Sequence, residues 1–219
     1  AAGDAIRPLF RAAFAHEAKA DASPVTEADR AAEAAMRRLL DAEAPRDGII
    51  GEEYGAERPD AARQWVLDPI LGMIDQPVNG ERWVGAVGQP TLFNGEPART
   101  RTCRTLADAT LATTGPQYFD DHDAKHFMAL AAKTAHKRLI FGGDCYNYGL
   151  LASGHVDLVV EAGLKLHDFA ALVPIVEGAG GTMCDWNGDP LNADSAGHVI
   201  ALGDPARLED VIEGLACAH

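Results

Sequence analysis

Two short apolar runs that each end in acid constrain this chain most. Ile49-Ile50 runs into Gly51-Glu52-Glu53, and Trp65-Val66-Leu67 runs into Asp68-Pro69. A short continuous apolar run reads as a buried strand, and proline belongs at a strand end because it cannot donate to the ladder. Each run is therefore expected to be a strand with a carboxylate at its carboxyl end. In open α/β sheets ligands collect beyond those ends. Two neighbouring ends that carry acid suggest a cation site of hard oxygen donors, although adjacent glutamates after a strand, taken alone, are more often a solvated loop.

Helical spacing predicts a packing helix over Ile6 to Ala15, and a second helix opening at Thr26. The apolar face of the second runs Ala28, Ala32, Ala35, Met36, Leu39 and Leu40. Asp29 stands three residues after Thr26, which reads as a capping-box variant and leaves a functional role open. Leu71 to Ile74, a turn at Asp75-Gln76-Pro77 and a strand over Arg82 to Val87 come next, and Asn94-Gly95 signals a hairpin.

The second half takes on an α/β rhythm. Leu106 to Thr113 reads as a strand and Asp123 to Lys137 as a helix with Phe127, Leu130, Ala131 and Ala135 inward. A strand over Arg138 to Phe141 ends in Gly142-Gly143-Asp144 and is followed by a helix over Cys145 to Ala152. Amides at that turn suit an anion, but Gly-Gly before a helix is common without any ligand. The strand Val156 to Val160 ends in Glu161. Asp168 is expected as the N-cap of a helix over Phe169 to Glu177, kinked by Pro174. Val199 to Leu202 and Ala206 to Leu215 complete the pattern as strand and helix.

Composition excludes some partners. A formal charge of -14 argues against nucleic acid and anionic membrane, because both are bound through basic surfaces. A phosphate substrate would need bound metal to reverse the local sign. Cys103, Cys145, Cys184 and Cys217 form no Cys-x-x-Cys pair and read as free thiols. No stretch approaches the ~20 apolar residues of a membrane span and no secretory pattern opens the chain, so a cytoplasmic location is expected.

Four motifs in fixed order carry a resemblance. They are TEAD (Thr26 to Asp29), GEE (Gly51 to Glu53), WVLDPI (Trp65 to Ile70), and HDFAAL (His167 to Leu172) with EGAGG (Glu177 to Gly181). Together they resemble the inositol monophosphatase superfamily of magnesium-dependent phosphomonoesterases, collinearly from about Ile6 onward. Within it, IDQPVNGERWVG (Ile74 to Gly85), FGGDCYNYGLLASG (Phe141 to Gly154) and VEAGLKLHDFAAL (Val160 to Leu172) look most like bacterial histidinol-phosphate phosphatases.

The resemblance implies one α/β (α+β) domain, a layered α/β/α/β/α sandwich with halves of about 1–115 and 116–219. It implies two or three Mg²⁺ ions held by Glu52, Asp68, the Ile70 carbonyl and Asp168. Asp29, Glu52 and Asp68 would be catalytic, one ion activating the attacking water and another stabilising the departing alkoxide. Glu161 would face the substrate's organic part, with Gly142, Gly143 and Asp144 lining it, and carboxylates there suit an amine and an imidazole. A homodimer acting on a small phosphate ester is the implied assembly.

One departure stands out. After WVLDPI the family has Asp-Gly-Thr or Asp-Gly-Ser and a longer two-strand segment, whereas this sequence passes directly to Leu71-Gly72-Met73. The absent Asp is a family metal ligand and the absent Thr is the partner of Asp29. A true deletion would leave a crippled site and turn the protein into a non-catalytic binding module. The expectation here is a segment missing between positions 70 and 71, because losing central strands exposes sheet edges. The expected activity is hydrolysis of L-histidinol phosphate, with inositol 1-phosphate or another sugar or nucleotide phosphate as the alternative.

Overall fold

The computed structural model describes residues 8, 17–18, 24–25, 27–51, 54–62, 64–65, 71–135, 138–192 and 194–216. The chain forms two compact units, one of Ala1–Asp68 with Asp75–Glu81 and the other of Pro69–Ile74 with Arg82–His219.

In the first unit β1 (Glu17–Ala18) pairs with β2 (Pro24–Val25), and helix α1 covers Glu27–Glu43. Strands β3 (Gly48–Gly51), β4 (Gly55–Glu57) and β5 (Gln64–Trp65) make a sheet with β3 in the centre. β3 and β5 run parallel, Ile49 opposite Trp65, so the two apolar runs begin on adjacent strands with a common direction, Val66 and Leu67 lying outside the described residues. The inward face of α1 differs from expectation. Met36 and Leu39 are exposed, whereas Glu33 and Arg37 are buried. Arg37 Nε lies 2.8 Å from Glu33 Oε1 and Nη1 lies 3.4 Å from Glu57 Oε2, while Nη2 donates to the Gly55 carbonyl. Glu33 Oε1 also accepts from the Tyr54 amide at 3.2 Å. Burial of this pair is tolerable because backbone groups satisfy its remaining hydrogen bonds. Gly51 makes room for it, since a Cβ there would stand 2.2 Å from Glu33 Oε1.

The second unit holds the larger part of a sheet in the order β6 (Leu71–Gln76), β7 (Glu81–Ala86), β8 (Leu92–Phe93), β9 (Glu96–Pro97), with Asn94-Gly95 in the β8–β9 turn as its sequence predicts. β6 is its edge strand, and Leu71 and Met73 on it are both 56% exposed. Trp83 on β7 is buried, stacks on Phe93 at 4.7 Å and donates Nε1–H to Ser153 Oγ at 2.8 Å.

Next come β10 (Leu111–Thr113), α2 (Asp121–Ala131), β11 (Leu139–Phe141), α3 (Tyr146–Ala152), β12 (Leu158–Glu161), α4 (Leu166–Phe169), α5 (Val173–Gly178), β13 (Thr182–Cys184), β14 (Val199–Leu202) and α6 (Leu208–Ala216). The sheet order is β11-β10-β12-β14-β13, the first three parallel and the last two antiparallel to their neighbours. Both faces are buried, and the period of two sorts the side chains. Ala112, Val159, Val199 and Ala201 pack in the cluster that holds Tyr148, Leu151, Phe169 and Ile175. Leu111, Leu158, Val160, Ile200 and Leu202 pack with Phe127, Leu130, Val211 and Leu215. Each such fully buried aliphatic or aromatic side chain contributes about 1.5–3 kcal/mol of transfer free energy.

Several sequence expectations are corrected. Leu106–Asp108 is a single 3-10 turn with Thr105 Oγ1 donating to Asp108 Oδ2 at 2.8 Å, and the strand begins only at Leu111. α2 starts two residues earlier than predicted, capped by Asp120, and stops at Ala131, where the Thr134 hydroxyl donates to the Ala131 carbonyl at 2.9 Å. Asp168 does not cap a helix over Phe169 to Glu177. It sits within the short α4, and Pro174 lies in the first turn of a separate α5, where its missing N–H interrupts no hydrogen bond and causes no kink. Strands β1, β2, β4 and β13 are additional to those read from the sequence.

Candidate active site

Three parallel strands of the second unit end side by side. β10 lies between β11 and β12, Thr113 opposite Phe141 and Ala112 opposite Val159, so the residues that follow each strand converge. Thr114 follows β10, Gly142-Gly143-Asp144 follows β11, and Glu161 closes β12.

Glu161 is 3% exposed. Its Oε1 accepts from the Thr114 amide at 2.7 Å and the Thr114 hydroxyl at 2.9 Å, and its Oε2 accepts from the Thr113 hydroxyl at 3.0 Å. Burial pushes its pKa above the ordinary 4.5, the threonine donors oppose this, and the Asp144 charge adds to the rise. The Gly142 amide donates to the carbonyls of Thr113 and Thr114 at 3.1 and 3.0 Å, and Asn147 Nδ2 donates to the Gly142 carbonyl at 2.8 Å. Gly142, Gly143 and Asp144 have φ of +85°, +99° and +42°, a left-handed run in which the first two positions favour glycine. Asp144 itself is exposed.

Tyr148 on α3 lies among these groups. Its hydroxyl is buried and has no hydrogen-bond partner among the described residues. Burial, with the charges of Glu161 and Asp168, holds this phenol well above its ordinary 10.0. Asp168 Oδ2 accepts from the Lys165 amide at 2.7 Å, its Oδ1 lies 3.7 Å from His167 Nε2, and 38% of its side chain is exposed. An accessible carboxylate fixed through one oxygen fits a hard divalent cation. Glu52, Asp68 and Ile70 lie outside the described residues, as does the side chain of Asp29, whose backbone is in the first turn of α1.

The structure thus brings Glu161 together with Gly142, Gly143 and Asp144, with Asp168 close enough to act on the same tyrosine. Sequence reasoning missed Thr113, Thr114, Asn147 and Tyr148. Thr113 falls in the strand expected over Leu106 to Thr113 and Tyr148 in the helix expected over Cys145 to Ala152, and neither pattern marks a site. Among the described residues Cys103, Cys145 and Cys184 are free thiols, and burial raises Cys184 to about 11, which leaves that thiol inert at neutral pH. No helix among the described residues is long and apolar enough to cross a membrane.

The molecule is a mixed α/β protein whose carboxylates and hydroxyls gather beyond parallel strand ends, where ligands collect in such sheets. The inositol monophosphatase family model matches residues 1–72 and 69–217, and the chain belongs to that family of metal-dependent phosphomonoesterases. The chain is 40% identical over 250 residues to the chloroplastic bifunctional phosphatase IMPL2 of Arabidopsis thaliana, covering 98% of this chain and 72% of that protein. A histidinol-phosphatase of Chlorobaculum parvum is 32% identical, with 84% of this chain and 80% of that one covered. The structure of an inositol monophosphatase from Zymomonas mobilis superposes with a TM-score of 0.86 at 49% identity, covering 98% of this chain and 93% of that one. The Arabidopsis alignment spans 250 residues against the 219 of this chain, so that relative has residues with no counterpart here.

Proposed function

We propose that this phosphatase hydrolyses L-histidinol phosphate to L-histidinol. The observation that carries this reading is the buried Glu161 carboxylate, held by neutral donors only and set beside the Asp144 loop. Among the described residues it has hydrogen-bond donors but no cation, which suits a substrate whose organic part brings an ammonium or imidazolium of its own. The Chlorobaculum relative and others are named histidinol-phosphatases, which supports the same substrate. Inositol 1-phosphate is the second reading, favoured by the 49% identity to the Zymomonas inositol monophosphatase.

Glu52, Asp68, the Ile70 carbonyl and Asp168 would hold two or three Mg²⁺ ions. When bound, these supply Lewis acidity to the phosphoryl group and lower the pKa of a water. The chain's own residues then do the rest. Asp29, Glu52 and Asp68 position the reacting water, while Glu161, Gly142, Gly143 and Asp144 hold the alcohol portion of the ester. A segment bearing a further metal ligand is proposed to be missing between Ile70 and Leu71. The family model matches in two pieces that meet at residues 69–72, and Leu71 and Met73 are exposed on an edge strand, both of which support this. A homodimer in the cytoplasm is part of the same proposal.

Phosphate release from histidinol phosphate and from inositol 1-phosphate, with Mg²⁺ and with a chelator, tests the reading. Faster turnover of the histidinol ester, abolished by chelation, is expected. Equal or faster turnover of the inositol ester would overturn the substrate, and chelator-resistant activity would overturn the metal. An intact mass of 23.2 kDa for the protein from its natural source would exclude a missing segment, leaving either a compensated site or a binding module.

A further inference from the structure

At the start of α2 two histidines, His122 and His126, stand one helical turn apart on the same face. Their Nε2 atoms face each other at 3.1 Å. The other nitrogen of each ring faces an acceptor. His126 Nδ1 lies 2.5 Å from the Leu215 carbonyl oxygen, which can only accept, so Nδ1 carries the proton and Nε2 the lone pair. His122 Nδ1 lies 3.5 Å from Asp123 Oδ1, at the outer limit of a hydrogen bond, and the same tautomer at His122 lets Nδ1 donate to that carboxylate. With Nδ1 protonated in both rings the two Nε2 lone pairs face one another, an arrangement that either a shared proton or a bound cation relieves.

We propose that His122 and His126 form a binding site for a first-row transition ion of the zinc class, separate from the phosphatase centre. Metal–nitrogen bonds of about 2.0–2.1 Å place adjacent ligating nitrogens roughly 2.9–3.4 Å apart, and the observed pair falls within that range without movement. The surroundings are those of a metal-bound imidazole. A carbonyl and a carboxylate orient the rings from behind, the arrangement that fixes the tautomer and raises ligand basicity. His198 Nε2 holds Asp123 in turn, 2.8 Å from Oδ2. Asp120 and Asp123 each have a carboxylate oxygen within 4.8 Å of a His122 nitrogen, which adds negative potential. Imidazole nitrogen selects zinc, nickel or copper over Mg²⁺, so this site and the oxygen-only set at Glu52, Asp68 and Asp168 select different ions. The pair also ties α2 to the last turn of α6 through Leu215, so an ion here braces two helices of one sheet face.

The test is Zn²⁺ binding to the full chain by calorimetry or equilibrium dialysis, with excess Mg²⁺ to occupy the oxygen sites. One Zn²⁺ per chain is expected, weakened at least about tenfold in His122→Ala and in His126→Gln. His122 is 78% exposed at its side chain, so His122→Ala decides the matter even if His126→Gln fails to fold. Asp123→Asn is expected to weaken Zn²⁺ by about 10- to 100-fold, as loss of an orienting carboxylate does. Asp168→Asn is expected to lose Mg²⁺-dependent turnover and keep the Zn²⁺, so failure of the phosphatase reading and failure of this one are told apart. Unchanged Zn²⁺ stoichiometry and affinity in both histidine variants would overturn the site. The same holds if Zn²⁺ leaves the nitrogen-15 shifts of the two rings unmoved, which would mean that the pair shares only a proton.

Discussion

Asp157 precedes β12 and Glu161 closes it; both are 3% exposed, yet their partners are opposite in kind. Arg101 grips Asp157 with Nε to Oδ1 and Nη2 to Oδ2, each at 2.6 Å, and the Thr110 amide adds a third bond at 2.7 Å. Among the described residues Glu161 has three hydrogen bonds as well, but all from neutral donors. The consequence shows in acidity. Burial pushes Asp157 upward, and the bidentate guanidinium and the Thr110 amide outweigh it, holding the group below the ordinary 3.8. At Glu161 burial wins and the pKa rises above 4.5. One end of the strand is electrostatically closed and serves the fold. The other retains a buried charge with no cation against it among the described residues, which destabilises the fold at that point.

Several measurements would break or sharpen that contrast. The largest effect is expected from Arg101→Ala, which strands Asp157 with a single amide donor. A stability loss of about 2–3 kcal/mol should appear in denaturant unfolding, below the usual range for a buried pair because the Arg101 side chain is 42% exposed. A loss under about 0.5 kcal/mol would show that Asp157 is not closed by its partner.

Glu161→Gln should do the reverse. The amide keeps an acceptor for the Thr114 amide and removes the buried charge, so stability is held or raised by up to about 1 kcal/mol at neutral pH. The kcat/KM for histidinol phosphate should fall by roughly ten- to a hundredfold, or about 1.4–2.7 kcal/mol of transition-state binding. Retained turnover with unchanged KM would remove Glu161 from the substrate site.

Acid titration separates the two ends by sign. The folded pKa of Asp157 is depressed, so its contribution is present above 3.8 and is lost as pH falls through the lower folded value. The folded pKa of Glu161 is raised, so the folded state takes up that proton first, and its unfavourable charge is relieved as pH falls toward 4.5. The stability gap between wild type and Glu161→Gln should therefore close on mild acidification, before the Asp157 contribution begins to fade. A gap that stays constant from pH 7 to pH 4.5 would contradict the raised pKa.

Tyr148→Phe is expected to give the smallest change in the empty protein. The hydroxyl is buried without a partner among the described residues, so its removal should leave stability unchanged or raise it by about 1 kcal/mol. A rise in KM without loss of stability would place that hydroxyl against the substrate, and a stability loss above about 1 kcal/mol would mean that it has a partner.

By itself the sequence determined the family, most of the strands and helices of the second unit apart from β13 and the division between α4 and α5, and the residues that close β11 and β12. Apolar runs such as Val156 to Val160 and Val199 to Leu202 are buried on both faces, so local pattern and tertiary environment agree there. Glu161 and the Gly142-Gly143-Asp144 turn were legible for the same reason: they sit where each run stops. What only the tertiary structure decided depends on partners distant in the chain. Met36 and Leu39 read as the inner face of α1, yet Glu33 and Arg37 turn inward because the Gly55 carbonyl and the Tyr54 amide satisfy them. Pro174 read as a kink and is a helix start, a distinction set by where the preceding turn ends. The threonine cradle of Glu161 and the Arg101 clamp on Asp157 join residues 47 or 48 and 56 positions apart. No local pattern encodes such a meeting, because it is created by the strand order β11-β10-β12 that places these ends together.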